Sequence, residues 1–91
     1  MRTTIARGVA LLDQCEGPHW VSAIELEKLD LTSYSTCVLG QLYGNYDDGL
    51  RELEIGSGTP FGFLLDKGNW AYLTRDWKAT IRRLKKERGW P

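Results

Sequence analysis

Three side chains in this 91-residue sequence are of the kinds that hold metals or attack electrophiles: Cys15, His19 and Cys37. Cys15 and His19 stand as Cys-x₃-His, a spacing that suits one helical turn and two zinc ligands. A structural zinc site normally needs four ligands, and the sequence has no third cysteine and no second histidine to complete one. His19 directly follows Pro18. A lone imidazole beside a turn, with few partners in sequence, is expected as a surface or capping group rather than as a general base. Asp47-Asp48 with Glu52 and Glu54 concentrate negative charge, but the spacing of an EF-hand is missing, so they read as a solvated acidic face. Gly56-Ser57-Gly58 follows no expected strand and reads as a loop, not a phosphate cradle. No nucleophile elbow, P-loop or metalloprotease helix is present. The expectation is a protein that is not an enzyme, with no catalytic residues, no cofactor and no metal.

Charge is the stronger signal. Residues 67–91 hold eight basic residues against two acids, and residues 1–66 hold four basic residues against ten acids. The formal net charge of zero therefore covers a basic C-terminal quarter, six charges in excess, on an equally acidic remainder. Such a split suits a nucleic-acid arm, a membrane-facing helix, or two surfaces made to meet. Seven cations between Arg75 and Arg88 could follow a phosphate backbone, although the acidic remainder would repel a polyanion from most directions. No helix-turn-helix, zinc-finger or RNA-binding motif accompanies them.

The elements that must carry these residues are helical by their periodicity. Ile5, Val9 and Leu12 fall at i, i+4, i+7, which predicts a helix from Thr3 or Thr4 to about Gln14 with Thr4 as N-cap and Glu16-Gly17-Pro18 as its stop. Pro18 opens a short turn, and Trp20 and Ile24 share a face beyond it. From Ile24 to Leu31 the leucines alternate irregularly with charges, as expected for a connector that tucks apolar side chains inward. Thr32-Ser33 and Ser35 are the expected caps for a helix through Val38, Leu39 and Leu42, with Gly44 just past its end. Gly40 within that helix marks the close approach of another element. Asn45 or Asp47 caps a helix carrying Tyr46, Leu50 and Leu53, and Ile55–Pro60 is a loop. Asn69 caps the last helix, Trp70 to about Arg88, whose apolar stripe is Trp70, Leu73, Trp77, Ile81 and Leu84.

These elements predict an all-α fold, a small bundle of three to four helices closed by a long C-terminal helix, as one domain over residues 1–91. The expected core is Ile5, Val9, Leu12, Trp20, Ile24, Leu29, Val38, Leu42, Leu50, Leu53, Phe63, Trp70, Leu73, Trp77, Ile81 and Leu84. Hydrophobic content of 42% with 26% charged residues is ordinary for a folded protein. No apolar run approaches the roughly 18–20 residues that span a bilayer, and no continuous apolar leader segment is evident. The expected location is the cytoplasm, where Cys15 and Cys37 are small buried hydrophobes rather than a disulfide. An interfacial membrane role would take the Trp70–Leu84 stripe from a core that needs it, so no membrane partner is expected.

Cys37-Val38-Leu39-Gly40-Gln41-Leu42-Tyr43-Gly44, with Tyr46 and Gly49-Leu50 behind it, resembles a set of small proteins of actinobacteria and their phages, mycobacteriophages especially. The likeness extends to Ala6–Asp13 and Leu29–Leu31 and covers roughly residues 4–55, with a looser match in the last helix. Members of that set carry a second cysteine three residues before the one at Cys37. Tyr34 stands there in this sequence, which removes a Cys-x₂-Cys pair. The resemblance implies a phage-encoded protein in the host cytoplasm and brings no activity and no catalytic residues. Taken with the charge split, the expected function is a non-enzymatic protein-interaction module acting on a host or phage protein or by self-association. Its expected partner surface is Arg75, Lys78, Arg82, Arg83, Lys85 and Lys86. The alternative is a nucleic-acid-binding protein that uses the same basic helix.

Overall fold

The stripe in the C-terminal quarter becomes the spine of the molecule. In the computed structural model, which describes residues 2–65 and 67–90, an 18-residue helix runs Trp70–Glu87. Leu73, Trp77, Ile81 and Leu84 are all buried along one side of it, and Thr80 is buried between them. At about 1.5 Å per residue this helix is ~27 Å long, against a longest molecular dimension of 32 Å. Asn69 starts it as expected: its Oδ1 accepts hydrogen bonds from the Ala71 and Tyr72 amides at 2.8 and 3.3 Å.

The fold is all-α. In chain order the described residues form α1 (Thr3–Glu16), a 3₁₀ turn (Pro18–Ala23), α2 (Val38–Tyr43), α3 (Tyr46–Glu52), a second 3₁₀ turn (Thr59–Phe61) and α4 (Trp70–Glu87), and no strand occurs among them. Ile5, Val9 and Leu12 are buried on α1, as their spacing predicts. The helix extends two residues past Gln14, and Arg2, not Thr4, occupies its capping position, without a side-chain cap bond. The fold holds that end differently, because the Arg2 side chain is committed to Asp76 of α4 at 2.6 Å.

The 3₁₀ turn at Pro18–Ala23 buries Trp20 and Val21, and the connector after it buries Ile24, Leu29 and Leu31 while forming no regular helix. The cap of α2 departs from expectation. Thr32, Ser33 and Ser35 shape the turns before the helix, but the N-cap is Cys37, whose Sγ accepts from the Gly40 amide at 3.2 Å. Gly40 is closely approached, as the sequence suggests, but by the turn that leads into its own helix rather than by another element: a Cβ there would lie 2.5 Å from the Tyr34 carbonyl oxygen. Asn45 caps α3, with Oδ1 accepting from the Asp48 amide at 2.8 Å. Gly8 on α1 plays the same part as Gly40, since a Cβ there would sit 2.2 Å from the Phe61 carbonyl oxygen. That absence of a side chain lets the second 3₁₀ turn lie on α1.

One core runs through the described residues. Phe63 and Trp77 stack at its centre with ring centroids 5.6 Å apart and planes 13° from parallel. The Trp77 indole N–H, which burial would otherwise leave unpaired, donates to the Gly62 carbonyl at 2.6 Å. Three expected core residues, Leu42, Leu50 and Trp70, are only half-buried, while Val21, Leu31, Cys37, Leu39 and Tyr46 are fully inside. Cys15 is a further correction, for it is exposed near the end of α1. No helix among the described residues is long and apolar enough to cross a membrane.

Candidate functional site

Burying one side of α4 fixes what the other side offers. At 100° per residue, Arg75, Arg82 and Lys86 lie opposite the buried stripe, with Lys78 and Lys85 on one flank and Arg83 on the other. Arg75, Arg82, Arg83 and Lys86 are exposed, and Lys78 and Lys85 are half-buried.

The cations differ in how far the fold has already used them. Arg75 lies over the Tyr72 ring, 4.7 Å from its centroid, and 3.8 Å from Asp76. Arg83 reaches Glu87 one turn on, Nε to Oε1 at 3.5 Å. Lys78 lines a shallow hollow with Asp30. Asp30 carries its own support: Thr32 donates both its amide and its hydroxyl to Oδ1 at 3.0 and 2.7 Å. Those two bonds hold the Asp30 carboxyl below its ordinary pKa, and Lys78 adds a smaller effect in the same direction. Lys85 is structural, because its Nζ donates to the Ile24 carbonyl at 2.8 Å. Arg82 and Lys86 enter no ion pair among the described residues.

Arg88, just past the helix, accounts for part of the charge split. Its two terminal nitrogens donate to the two oxygens of Asp13, each at 2.8 Å, and one also reaches the Pro18 carbonyl at 2.8 Å. The Trp20 indole N–H donates to the same carboxylate at 2.7 Å. A planar guanidinium fits a carboxylate in this two-point manner, and an ammonium could not. One end of α4 is thus clasped to α1 and to the first 3₁₀ turn. Nearer its start, Asp76 clasps Arg2. The basic quarter and the acidic remainder therefore meet within the molecule at Arg88 and Asp13, whereas Arg2–Asp76 joins a cation of the acidic part to an acid of the basic part, and the row Arg75–Arg82–Lys86 faces solvent.

The residues considered for catalysis or metal binding form no three-ligand cluster among the described residues. Cys15 and His19 are exposed and Cys37 is buried, both thiols are free, and no group of three Cys, His, Asp or Glu with metal-holding geometry exists among the described residues. Burial pushes the Cys37 thiol above its ordinary pKa, against the opposing effect of the amide that it caps. Tyr43 is raised as well, first by burial and then by its hydrogen bond to Glu16, 2.8 Å away. The acidic residues of α3 and its end, Asp47, Glu52 and Glu54, are exposed to solvent, and Asp48 pairs with Arg51.

Sequence reasoning missed that Lys85 and Arg88 serve the fold. Their acceptors are 61 and 75 residues away, so no local spacing announces them. Comparison with protein-family models, with curated proteins and with solved structures finds no match.

Proposed function

We propose that this chain is a small non-enzymatic interaction module that presents the outward side of α4 to an acidic surface of a protein. The observation that carries this reading is the row Arg75, Arg82 and Lys86. These cations stand clear of the core, and two of them have no ion-pair partner among the described residues. From Arg75 to Lys86 the row is about 16 Å long at ~1.5 Å per residue, a length that suits a short acidic helix or loop. The resemblance of residues 4–55 to actinobacteriophage proteins supports a phage-encoded protein in the host cytoplasm, acting on a host or phage protein or on a second copy of itself.

Capture from an actinobacterial lysate tests the reading, comparing the parent with the charge-reversed pair R82E/K86E. A partner held by the parent, released by added salt and absent from R82E/K86E is the expected result. Equal capture by both proteins refutes the assignment of the surface. Light scattering at low salt tests the self-association form, which a purely monomeric mass removes. The competing reading is nucleic-acid binding, and the contact of Arg75, at one end of the row, with the Tyr72 ring favours it, since aromatic–cation pairs also serve single strands. A gel shift on DNA and RNA that weakens steeply with salt would transfer the proposal to that class.

A further inference from the structure

Beside the outward row, α4 and Arg2 at the cap of α1 border an open hollow of about 440 Å³ lined by Arg2, Asp76, Ala79, Thr80 and Arg83. Both of its cations make their closest ionic contact through Nε, Arg2 by a hydrogen bond and Arg83 by a looser ion pair. Arg2 is gripped through Nε by Asp76 at 2.6 Å, and the closest ionic contact of Arg83 is also through Nε, to Glu87 at 3.5 Å. The terminal nitrogens of both arginines make no hydrogen bond among the described residues. A guanidinium held by Nε keeps its two-nitrogen edge available, and that edge is the one that pairs with oxyanions. Between the two arginines the helix presents Ala79, too small to fill the space, and the buried Thr80. Arg75 lies 3.8 Å from Asp76 on its other side, so the negative charge in the hollow is shared by two arginines.

From this we infer that the hollow is a binding site for a dianionic phosphate, either free or as a monoester. Arg2, Arg75 and Arg83 against Asp76 and Glu87 leave one positive charge in excess, so a ligand must bring charge and several acceptors to compete with water. A phosphate monoester has three terminal oxygens and can meet two guanidinium edges at once. A carboxylate has two oxygens and satisfies one edge, and a phosphodiester has two terminal oxygens and a single charge. The inference does not depend on the proposed protein partner. It shares Arg75 with that row and is read from a different set of contacts.

Amide NMR titration with inorganic phosphate, and separately with a phosphomonoester such as phosphoserine, tests it at constant ionic strength. Both probes are expected to saturate, with dissociation constants on the order of 1 mM and the largest shifts at Ala79, Thr80 and Arg83. R83Q is expected to weaken binding at least about tenfold, whereas R82Q, on the same helix but outside the hollow, leaves it unchanged. Melting curves of both variants establish that they remain folded. Phosphate binding without phosphoserine binding assigns the site to the free ion, and the reverse assigns it to the ester. Shifts that fail to saturate, that chloride reproduces at the same ionic strength, or that R82Q and R83Q reduce alike overturn the proposal. So does tighter binding of a short oligonucleotide with no terminal phosphate, which would make the hollow part of a polyanion track.

Discussion

Replacing Gly40 by alanine separates local helix propensity from tertiary packing, because the two predict opposite signs. Gly40 lies inside α2, where alanine gains about 1 kcal/mol of intrinsic helix stability over glycine. The added Cβ would stand 2.5 Å from both the Ser35 carbonyl carbon and the Tyr34 carbonyl oxygen, and 2.7 Å from the Ser35 oxygen. All three atoms belong to the backbone, so no side chain can rotate away. To reach ordinary contact that turn must retreat by nearly an ångström, and the Tyr34 carbonyl is not free to do so. It accepts from the Tyr46 amide at 2.9 Å, a bond that ties the turn before α2 to the start of α3. Overpacking of this kind costs about 1–3 kcal/mol, and loosening a buried amide bond adds about 1–2 kcal/mol. After the propensity gain, G40A should be destabilised by about 1–4 kcal/mol. For a chain of this size that lowers Tm by roughly 5–30 °C. Chemical denaturation followed by circular dichroism gives the free energy, and a thermal melt gives Tm. G56A is the control, for Gly56 is exposed and a Cβ there meets nothing within 4 Å; it should be neutral or stabilising by up to about 1 kcal/mol. A G40A protein as stable as the parent would show that the turn before α2 does not press on the helix, and the packing argument would be wrong.

Three further outcomes are expected. R88A should cost about 1–2 kcal/mol in denaturant unfolding, since it leaves Asp13 with only the Trp20 donor; R88K should recover little of the loss, because an ammonium cannot span both oxygens. Under native conditions a thiol reagent should label Cys15 rapidly and Cys37 only after denaturation, as burial removes access and raises the Cys37 pKa, so that less thiolate is present; labelling of both at one rate would contradict the packing of α2. The folded Asp30 pKa lies below its ordinary value, so its contribution to stability is present above that value and is lost as pH falls through the lower, folded one. T32V should move the Asp30 carboxyl titration, read by NMR, upward toward the ordinary value, and an unmoved titration would dismiss the Thr32 hydroxyl as its cause.

Features that depend on neighbouring residues were open to reading in advance. The Leu73–Leu84 stripe and the Asn69 and Asn45 caps follow from periodicity or from side chains acting within three residues of their own position, and the close approach at Gly40 comes from the turn five to six residues before it. The basic row was legible for the same reason, because a helix with one face buried must show its other face to solvent. Residues whose role is decided across the chain were not legible. Lys85 and Arg88 look like the solvated end of a basic helix until Ile24 and Asp13 are placed beside them. Cys37 lost to serine and threonine as a cap on propensity, yet the thiol stands where its amide acceptor role and its burial coincide. Tyr46 fell on the expected face, but its burial is supported by Gly58, whose amide donates to the tyrosine hydroxyl at 3.1 Å.

The two clasps between α1 and α4, Arg2 to Asp76 and Asp13 to Arg88, join residues 74 and 75 positions apart. On a ribosome this sets an order of events. Synthesis proceeds at roughly 5–20 residues per second, so α1 waits about 4–15 s for the helix that secures it. During that interval the Arg2 and Asp13 side chains have neither Asp76 nor Arg88 to pair with. A nascent chain stalled before residue 76 should therefore recruit a chaperone, and one extended past residue 88, with allowance for the exit tunnel, should release it.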